Sequence, residues 1–182
     1  KYLKSLEATK SIFLVTNGQE PDMIQKLQDE DALPTQLYLS TNAADYESFI
    51  KINKPKYDDS WERWNRTLDM LKNLDTRTVL RITLIRDYND QKEMIPAFAD
   101  MFRKASPHFI EIKSYMHIGR STNRLEHNNM LEMHEVKKFS EQIAKQSKIF
   151  SVMDESLVSR ISILQNNERF IDRYIPTYAN TN

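Results

Sequence analysis

The chain has 182 residues, with 26 Lys and Arg balanced by 26 Asp and Glu, and it contains no cysteine. A hydrophobic content of 40% with 29% charged residues is typical of a soluble globular protein and argues against intrinsic disorder. The lack of cysteine excludes disulfides, thiolate catalysis and cysteine-held metals within this chain. Because the net charge is zero, any surface for a polyanion must be a local basic patch.

Targeting signals are missing from the sequence as given. No apolar run approaches the roughly 18 residues of a membrane span, and the first ten residues lack the apolar centre of a signal peptide. We therefore expect a cytoplasmic, monomeric protein with no membrane contact, built as a single domain over residues 1–182 with a loose tail from about Tyr174. Because the sequence begins with Lys1 and not Met, we also expect further sequence upstream.

Apolar periodicity predicts strands and helices that alternate along the chain, which favours βαβ units and a parallel sheet. In chain order the predicted elements are helical turns in 1–9, a strand at 11–16, a helix from Pro21 with Met23, Ile24 and Leu27 on one face, a strand at 36–40, a short helix with Tyr46, Phe49 and Ile50, a loop at 53–57, a helix at 60–74, a strand at 78–85, a helix with Met94, Ala97, Phe98 and Met101, a strand at 109–116, a helix with Met133, Val136, Phe139 and Ile143, and strands at 150–152 and 158–164.

The helix at 60–74 has the strongest pattern. Asp59 followed by Glu62 fits a capping box. Trp61, Trp64 and Leu68 follow at helical spacing and form one apolar stripe. We interpret this stripe as core and not as an aromatic platform for stacking.

Three of the predicted strands are apolar on one face and polar on the other, because strand side chains alternate. Burying the charged members of the polar faces without partners would cost several kcal/mol each, on the order of the penalty for an unpaired charge. A curved sheet or barrel solves this problem, with outer helices on the apolar faces and a partly wet lumen on the other. A structural ion-pair network is the alternative reading. The polar positions are Tyr38, Ser40, Arg81, Thr83, Glu111 and Lys113.

Six motifs stand out along the chain. They are FLVTNG at 13–18, PTQLYLS at 34–40, SWERW at 60–64, RTVLRITLIRDYN at 77–89, ASPHFIEIKSYMHIGRSTNRL at 105–125 and NNM at 128–130. These motifs resemble those of the radical SAM enzymes of wybutosine synthesis, the 4-demethylwyosine synthase family, in its archaeal form. The resemblance runs in order from about residue 11 to residue 164.

The resemblance implies an α/β fold that is the later part of an incomplete (β/α)6 radical SAM barrel. It also implies an enzyme that condenses N1-methylguanosine beside the anticodon of phenylalanine tRNA with pyruvate carbons, using S-adenosylmethionine and two iron–sulfur clusters. The sequence departs from the family in having no cysteine for either cluster. We therefore expect this chain alone to hold no cluster and no metal.

The resemblance also implies site residues. Asn17, Ser40 and Asn42 match positions facing the methionine and ribose of S-adenosylmethionine, and the alternative for them is a turn that bonds its own backbone. Thr83 and Asn89 flank the next strand end, and Met116 lies where the last strand passes the adenine. These six residues, Asn17, Ser40, Asn42, Thr83, Asn89 and Met116, are the predicted cofactor contacts.

The predicted substrate contacts lie in and after the strand at 109. Lys113 could hold a carboxylate or phosphate, or form a Schiff base with a keto acid, and we assign it as a substrate contact only. Arg120, Asn123 and Arg124 offer the phosphate contacts and base hydrogen bonds that an anticodon loop requires, with a solvated loop as the alternative. The four histidines do not share one face at metal-ligand spacing, so surface or core roles are favoured.

Two other functions remain open on the sequence. One is a different (β/α) barrel enzyme that acts on a phosphorylated small molecule. The other is a catalytically inactive RNA-binding module that retains part of the barrel.

Overall fold

Six strands form one sheet in a computed structural model that describes residues 1–175. Its order is β1-β2-β3-β4-β6-β5, and the first four strands are parallel neighbours in sequence order. The strands are β1 Phe13–Thr16, β2 Gln36–Ser40, β3 Arg77–Leu84, β4 Phe109–Ser114, β5 Phe150–Ser156 and β6 Ile161–Asn166.

The prediction of a wholly parallel sheet in sequence order is correct for β1–β4 and wrong for the last two strands. β6 runs antiparallel to both β4 and β5. Only residues 157–160 separate β5 from β6. A connection this short can make a hairpin but cannot cross over to a parallel neighbour. The predicted strand at 158–164 therefore begins too early, because Val158 lies in the hairpin turn.

In the described part of the chain, five α-helices connect or follow the strands. They are α1 Pro21–Asp29, α2 Tyr46–Asn53, α3 Ser60–Met70, α4 Ile95–Ala105 and α5 Met133–Ser147. The predicted helix at 60–74 ends at Met70 and continues as a 3-10 turn, Leu71–Asn73. The predicted turns at 1–9 reduce to a 3-10 turn at Leu3–Ser5.

The capping box predicted at Asp59 is wrong. Its side chain makes no cap hydrogen bond to the helix backbone. Instead the Nε of Arg63, one turn on, donates to the Asp59 carboxylate at 2.8 Å. The Asp59 carboxylate therefore binds the Arg63 guanidinium instead of capping the helix.

The core lies on one face of the sheet, where the helices pack. Leu39, Ile82 and Ile112 are fully buried there with Trp64 and Phe98 of the helices. The rings of Trp61 and Trp64 stack at 5.3 Å between centroids. The predicted faces of the strands and the predicted core role of the tryptophan stripe are both confirmed.

The sheet has an open edge at β1, whose partner within residues 1–175 is β2. Phe13 and Val15 lie on the polar side of this strand and are 51% and 44% exposed. The other side of the strand carries Leu14, which packs against the core. No helix in the described part of the chain has both the length and the hydrophobicity to cross a bilayer.

The C-terminal residues reach back to the start of β3. Arg77 donates to the carbonyl oxygens of Asp172, at 2.6 Å, and of Arg173. The predicted loose tail from about residue 174 falls mainly on residues 176–182, which lie outside the described part of the chain.

His108 should make the fold sensitive to acid. Its Nδ1 accepts from the backbone N–H of Thr78 at 3.1 Å. Burial, assisted by Arg169 and Arg77, lowers the pKa of His108 to about 4. Because the unfolded chain binds the proton more tightly, the stabilisation is complete above pH 6.5 and is lost as pH falls towards 4.

We expect the free energy of unfolding to fall by about 1–2 kcal/mol between pH 7 and pH 4.5 from this group, after discounting for solvent screening. Denaturant titrations of the parent and of His108→Gln at several pH values would measure it. His134→Gln, which changes an exposed histidine, is the control and should keep the parent's pH dependence. If His108→Gln keeps it as well, the loss of stability has another origin.

Candidate functional site

Polar side chains gather where the parallel strands end. Asn17 follows β1, while Ser40 and Asn42 lie at and just after the end of β2. All three line one cavity of about 420 Å³. The remaining lining residues are Gln19, Phe49, Asn53, Lys54, Pro55, Lys56 and Tyr57. The structure therefore brings together three of the six predicted cofactor contacts, although it does not test what they bind.

The three side chains differ in how freely they can meet a ligand. The Asn17 Oδ1 accepts from the Gln19 backbone N–H at 3.2 Å, which is the local turn bond expected of Asn before Gly. Asn42 Oδ1 accepts from the Thr83 N–H at 3.1 Å. The Ser40 hydroxyl has no hydrogen-bond partner within residues 1–175 and is half-buried beside the cavity. Ser40 thus offers the least committed polar group of the three.

Asn89 supports this edge from inside. It is fully buried, and its Oδ1 accepts from the Ile85 N–H at 2.7 Å. Its Nδ2 donates to the carbonyl oxygens of Asn42 and Thr83, both at 2.9 Å. With its oxygen and both amide protons engaged, the side chain joins the ends of β2 and β3. The geometry favours a positioning role for Asn89 over the direct contact that we predicted from the sequence.

Thr83, Lys113 and Met116 lie away from this cavity. Thr83 and Lys113 are opposite each other in the β3–β4 register, on the polar side of the sheet. Lys113 is half-buried and forms no ion pair with any described residue. Met116 follows β4 and is 38% exposed. None of the three is among the described residues that line the 420 Å³ cavity, although the Thr83 N–H donates to the Oδ1 of Asn42, which does line it.

An ion pair occupies the polar side of the sheet two residues before Lys113. The Nε of Arg81 lies 2.7 Å from the Oε1 of Glu111, and the guanidinium stands 4.4 Å from the Tyr38 ring centroid. Burial first, then the nearby Glu111 carboxylate, raises the pKa of Tyr38 to about 12. Arg81 and Glu111 thus form the structural ion pair that was the alternative interpretation of this polar face. Lys113 has no acidic partner among the described residues.

The predicted RNA contacts divide into two places. Arg120 and Asn123 lie in an exposed 3-10 turn, Gly119–Asn123. Arg124 instead lines a smaller cavity of about 80 Å³ with Lys51 and Lys54 of the α2 end. Sequence reasoning missed both lysines, together with Lys56 and Tyr57 beside the larger cavity. The signal was present as lysines and an aromatic residue in the 51–57 segment, which we interpreted only as helix end and loop.

Arg86 was also missed, and it holds the loop after β4 in place. Its guanidinium binds both Glu135 carboxylate oxygens, at 2.6 and 2.7 Å. It also donates to the carbonyl oxygens of Asn128 and Met130, at 2.9 and 3.0 Å. The Arg86 guanidinium lowers the pKa of the Glu135 carboxyl. One side chain therefore fixes the end of β3, the polar loop and the start of α5 relative to one another.

Metal ligands are not grouped here. Within residues 1–175 no three His, Asp or Glu side chains are placed to hold a metal ion, and the sequence has no cysteine. The side chains of this chain therefore do not fit an iron–sulfur cluster. The hydroxyl and amide groups around the larger cavity do fit a zwitterionic ligand that carries hydroxyls, such as S-adenosylmethionine.

The mostly parallel sheet with helices packed on one face is an α/β fold that a radical SAM enzyme shares. Coproporphyrinogen III oxidase (HemN) from Escherichia coli, a radical SAM enzyme, matches with a TM-score of 0.51 and 12% identity over 86% of this chain and 35% of that one. At such low identity the match shows the fold alone.

Much closer matches come from one enzyme family. A structure of TYW1 with a lysine–pyruvate adduct bound has a TM-score of 0.76 and 40% identity, over 87% of this chain and 48% of that one. A crystal structure of archaeal TYW1 matches with a TM-score of 0.69 and 36% identity, over 87% of this chain and 47% of that one. The family model described as Wyosine base formation matches residues 104–166.

Curated proteins agree. The S-adenosyl-L-methionine-dependent tRNA 4-demethylwyosine synthases of Pyrococcus abyssi and Methanocaldococcus jannaschii are 38% and 41% identical to the chain. The matches cover 86% and 88% of this chain, and 45% and 48% of those proteins. The chain thus spans about half the length of the curated relatives it matches. The resemblance found in the motifs is confirmed: the chain is homologous to part of a tRNA 4-demethylwyosine synthase.

Proposed function

We propose that the protein containing this chain is a radical SAM tRNA 4-demethylwyosine synthase. The observation that carries the proposal is the 38–41% identity to these synthases over 86–88% of the chain, together with a polar cavity at the carboxyl edge of the sheet. Its substrates would be N1-methylguanosine beside the anticodon of phenylalanine tRNA, and pyruvate. We place the protein in the cytoplasm as a monomer, with this chain forming one domain.

The sheet would form the later part of an incomplete (β/α)6 barrel, with the polar side of β2–β4 facing the lumen. In that arrangement S-adenosylmethionine and an iron–sulfur cluster supply the radical chemistry when bound. Cysteines outside this chain would hold the two clusters.

The residues of this chain would bind and orient the reactants. Ser40, Asn17 and Asn42 offer hydroxyl and amide groups to the methionine and ribose, while Asn89 fixes the backbone of Asn42. Thr83 and Met116 complete the cofactor side, with Met116 beside the adenine. Lys113 would hold a carboxylate or phosphate of the substrate, because its ammonium has no acidic partner among the described residues. Arg120, Asn123 and Arg124 would contact the RNA.

The function is tested by incubating the full-length, cluster-loaded protein with pyruvate, S-adenosylmethionine, a reductant and phenylalanine tRNA that carries N1-methylguanosine. Digestion and mass spectrometry should show 4-demethylwyosine. RNA binding without any cleavage of S-adenosylmethionine would favour the inactive RNA-binding module instead. Turnover of a phosphorylated small molecule in place of the tRNA would favour the other barrel enzyme.

Ser40→Ala should weaken S-adenosylmethionine binding by about 5- to 10-fold, as expected for losing one hydrogen bond of about 1 kcal/mol. Since the hydroxyl has no partner within residues 1–175, folding should not change. Binding is measured on the full-length protein by equilibrium dialysis. Ser159→Ala is the matched control, because Ser159 is exposed on the β5–β6 turn at the same edge of the sheet, outside the cavity. Equal binding by both variants and the parent would remove Ser40 from the cofactor site.

The 182-residue chain by itself should take up no stoichiometric iron or sulfide after anaerobic reconstitution, because it offers no thiolate. The full-length protein should bind both under the same conditions. Iron, acid-labile sulfide and the visible absorption spectrum are the measurements. A stable cluster on the short chain would contradict the assignment of the ligands to other parts of the protein.

A further inference from the structure

Three cationic side chains surround the small cavity at the carboxyl edge of the sheet. We call this cavity the Lys51 basin. Lys51 lies in the last turn of α2, Lys54 is the residue that ends this helix, and Arg124 follows the 3-10 turn after β4. The cavity has a volume of about 80 Å³, and its floor is formed by Ile52, Ile85, Tyr88 and Leu125.

Among residues 1–175, none that lines the Lys51 basin is acidic. None of its three cations forms an ion pair within residues 1–175, whereas Arg63 and Arg86 are both paired with carboxylates. Lys51 has only an aromatic neighbour, with its Nζ 5.0 Å from the Tyr88 ring centroid. Two acids lie beside Tyr88 along the chain. Asp87 is exposed and is not among the residues that line the basin, and Asp90 accepts hydrogen bonds from the Asp87 N–H and from Gln91.

Gathering three like charges without a counter-charge is unfavourable. Two unit charges 4 Å apart in water repel by about 1 kcal/mol, and more where protein excludes solvent. An anion that binds between them reverses the sign of this interaction. The size of the cavity suits a group as small as one phosphate, and its apolar floor limits competition from water.

The basin shares one lining residue with the larger cavity. Lys54 lines both cavities, and Lys56 and the 49% exposed Tyr57 line the larger one. Cations next to exposed aromatic rings are typical of surfaces that bind single-stranded nucleic acid, where the backbone meets the charges and the bases meet the rings.

We propose that the Lys51 basin binds a backbone phosphate of the single-stranded RNA segment that enters the site. Lys51 and Lys54 supply charge from α2, and Arg124 closes the basin from the loop after β4. This inference rests on the proposed function and refines it. It separates Arg124, which works with the two lysines, from Arg120, which lies in the exposed turn.

The test compares two double variants of the full-length protein. Lys51→Ala with Lys54→Ala should weaken binding of phenylalanine tRNA by tenfold or more at low salt. The slope of log affinity against log salt should become shallower by about one to two units, because each lost phosphate contact lowers it by about one. Lys51→Arg with Lys54→Arg should restore most of the affinity.

The end of α5 offers a matched control. Lys145 lies in the last turn of α5 and Lys148 ends it, with the same spacing as Lys51 and Lys54. Lys54 and Lys148 both adopt the left-handed backbone conformation, with φ of 45° and 65°. α5 leads into the start of β5, so its lysines lie at the opposite edge of the sheet. Lys145→Ala with Lys148→Ala should bind tRNA within twofold of the parent.

The outcomes separate the basin from the enzyme assignment. If the Lys51/Lys54 and Lys145/Lys148 alanine variants weaken binding equally, or neither does, the basin is not a phosphate site. Product formation by the parent would then leave the proposed function standing. If binding depends on the basin but no 4-demethylwyosine is formed, the RNA site stands and the proposed function fails. A parent that binds no tRNA would overturn the basin assignment.

Discussion

Replacing Gly18 with alanine should lower the free energy of unfolding by about 2–4 kcal/mol. Gly18 has φ of +76°, where an added side chain costs roughly 1 kcal/mol. A Cβ there would lie 2.7 Å from Leu39 Cδ1 and 3.1 Å from Trp64 Cδ1. Both neighbours are buried, at 0% and 2% exposure, so relieving the overlap adds about 1–3 kcal/mol.

Gly119→Ala is the matched control, and these two are the only glycines in the chain. Gly119 also has a positive φ, +63°, but an added Cβ meets no atom within 4 Å. Gly119→Ala should therefore lower the free energy of unfolding only by the cost of a side chain at positive φ, about 1 kcal/mol. Denaturant unfolding followed by tryptophan fluorescence measures both. Similar losses of unfolding free energy in the two variants would mean that Leu39 and Trp64 move to accommodate the added methyl group. The turn that holds Asn17 would then be more deformable than its packing indicates.

Replacing Arg86 with alanine should cost about 2–3 kcal/mol and loosen the segment after β4. The change removes a bidentate pair with Glu135 and two hydrogen bonds to carbonyl oxygens. Hydrogen bonds to charged groups contribute about 1.5–3 kcal/mol each, but both side chains are about one-third exposed, so we discount the sum. Hydrogen exchange should increase most at residues 116–132.

Two comparisons make this result specific. Arg66→Ala removes an exposed pair with Asp22 and should cost no more than about 0.5 kcal/mol. Arg86 also lowers the pKa of Glu135 from its ordinary value of 4.5. The difference between the parent and Arg86→Ala should therefore shrink as pH falls from 4.5 towards the lower pKa that Glu135 has in the folded parent. A difference that is independent of pH would assign the effect to the carbonyl contacts instead of the ion pair.

The faces of the strands could be predicted because alternation along a strand is a local property. Because of this alternation, one face of the strands carries apolar side chains that pack under the helices, namely Leu37, Leu39, Ile82 and Ile112. Arg81 lies at an intervening position and therefore faces the other side. The hairpin between β5 and β6 escaped prediction because its turn lacks glycine and asparagine. Arg160 adopts the left-handed conformation there, with φ of 49°, and the apolar Leu157 and Val158 are 73% and 94% exposed.

The candidate site was predictable only where it follows strand ends. Ser40 and Asn42 come directly after a buried strand, so their place at the carboxyl edge follows from the parallel arrangement. Lys51 and Arg124 are 73 positions apart in sequence, and only the packing of α2 against the loop after β4 brings them together. The role of Asn89 could not be predicted either, because it depends on three hydrogen bonds to backbone groups that only the folded chain brings together.

The open edge of β1 has a consequence for handling the protein. A row of backbone N–H and C=O groups lines this edge, with the exposed Phe13 and Val15 beside it. Such an edge is a template for another extended chain. Preparations in which the edge stays uncovered should therefore self-associate through strand pairing, increasingly with concentration and salt. A charged residue at position 15, such as Val15→Lys, should keep them monodisperse without changing the core.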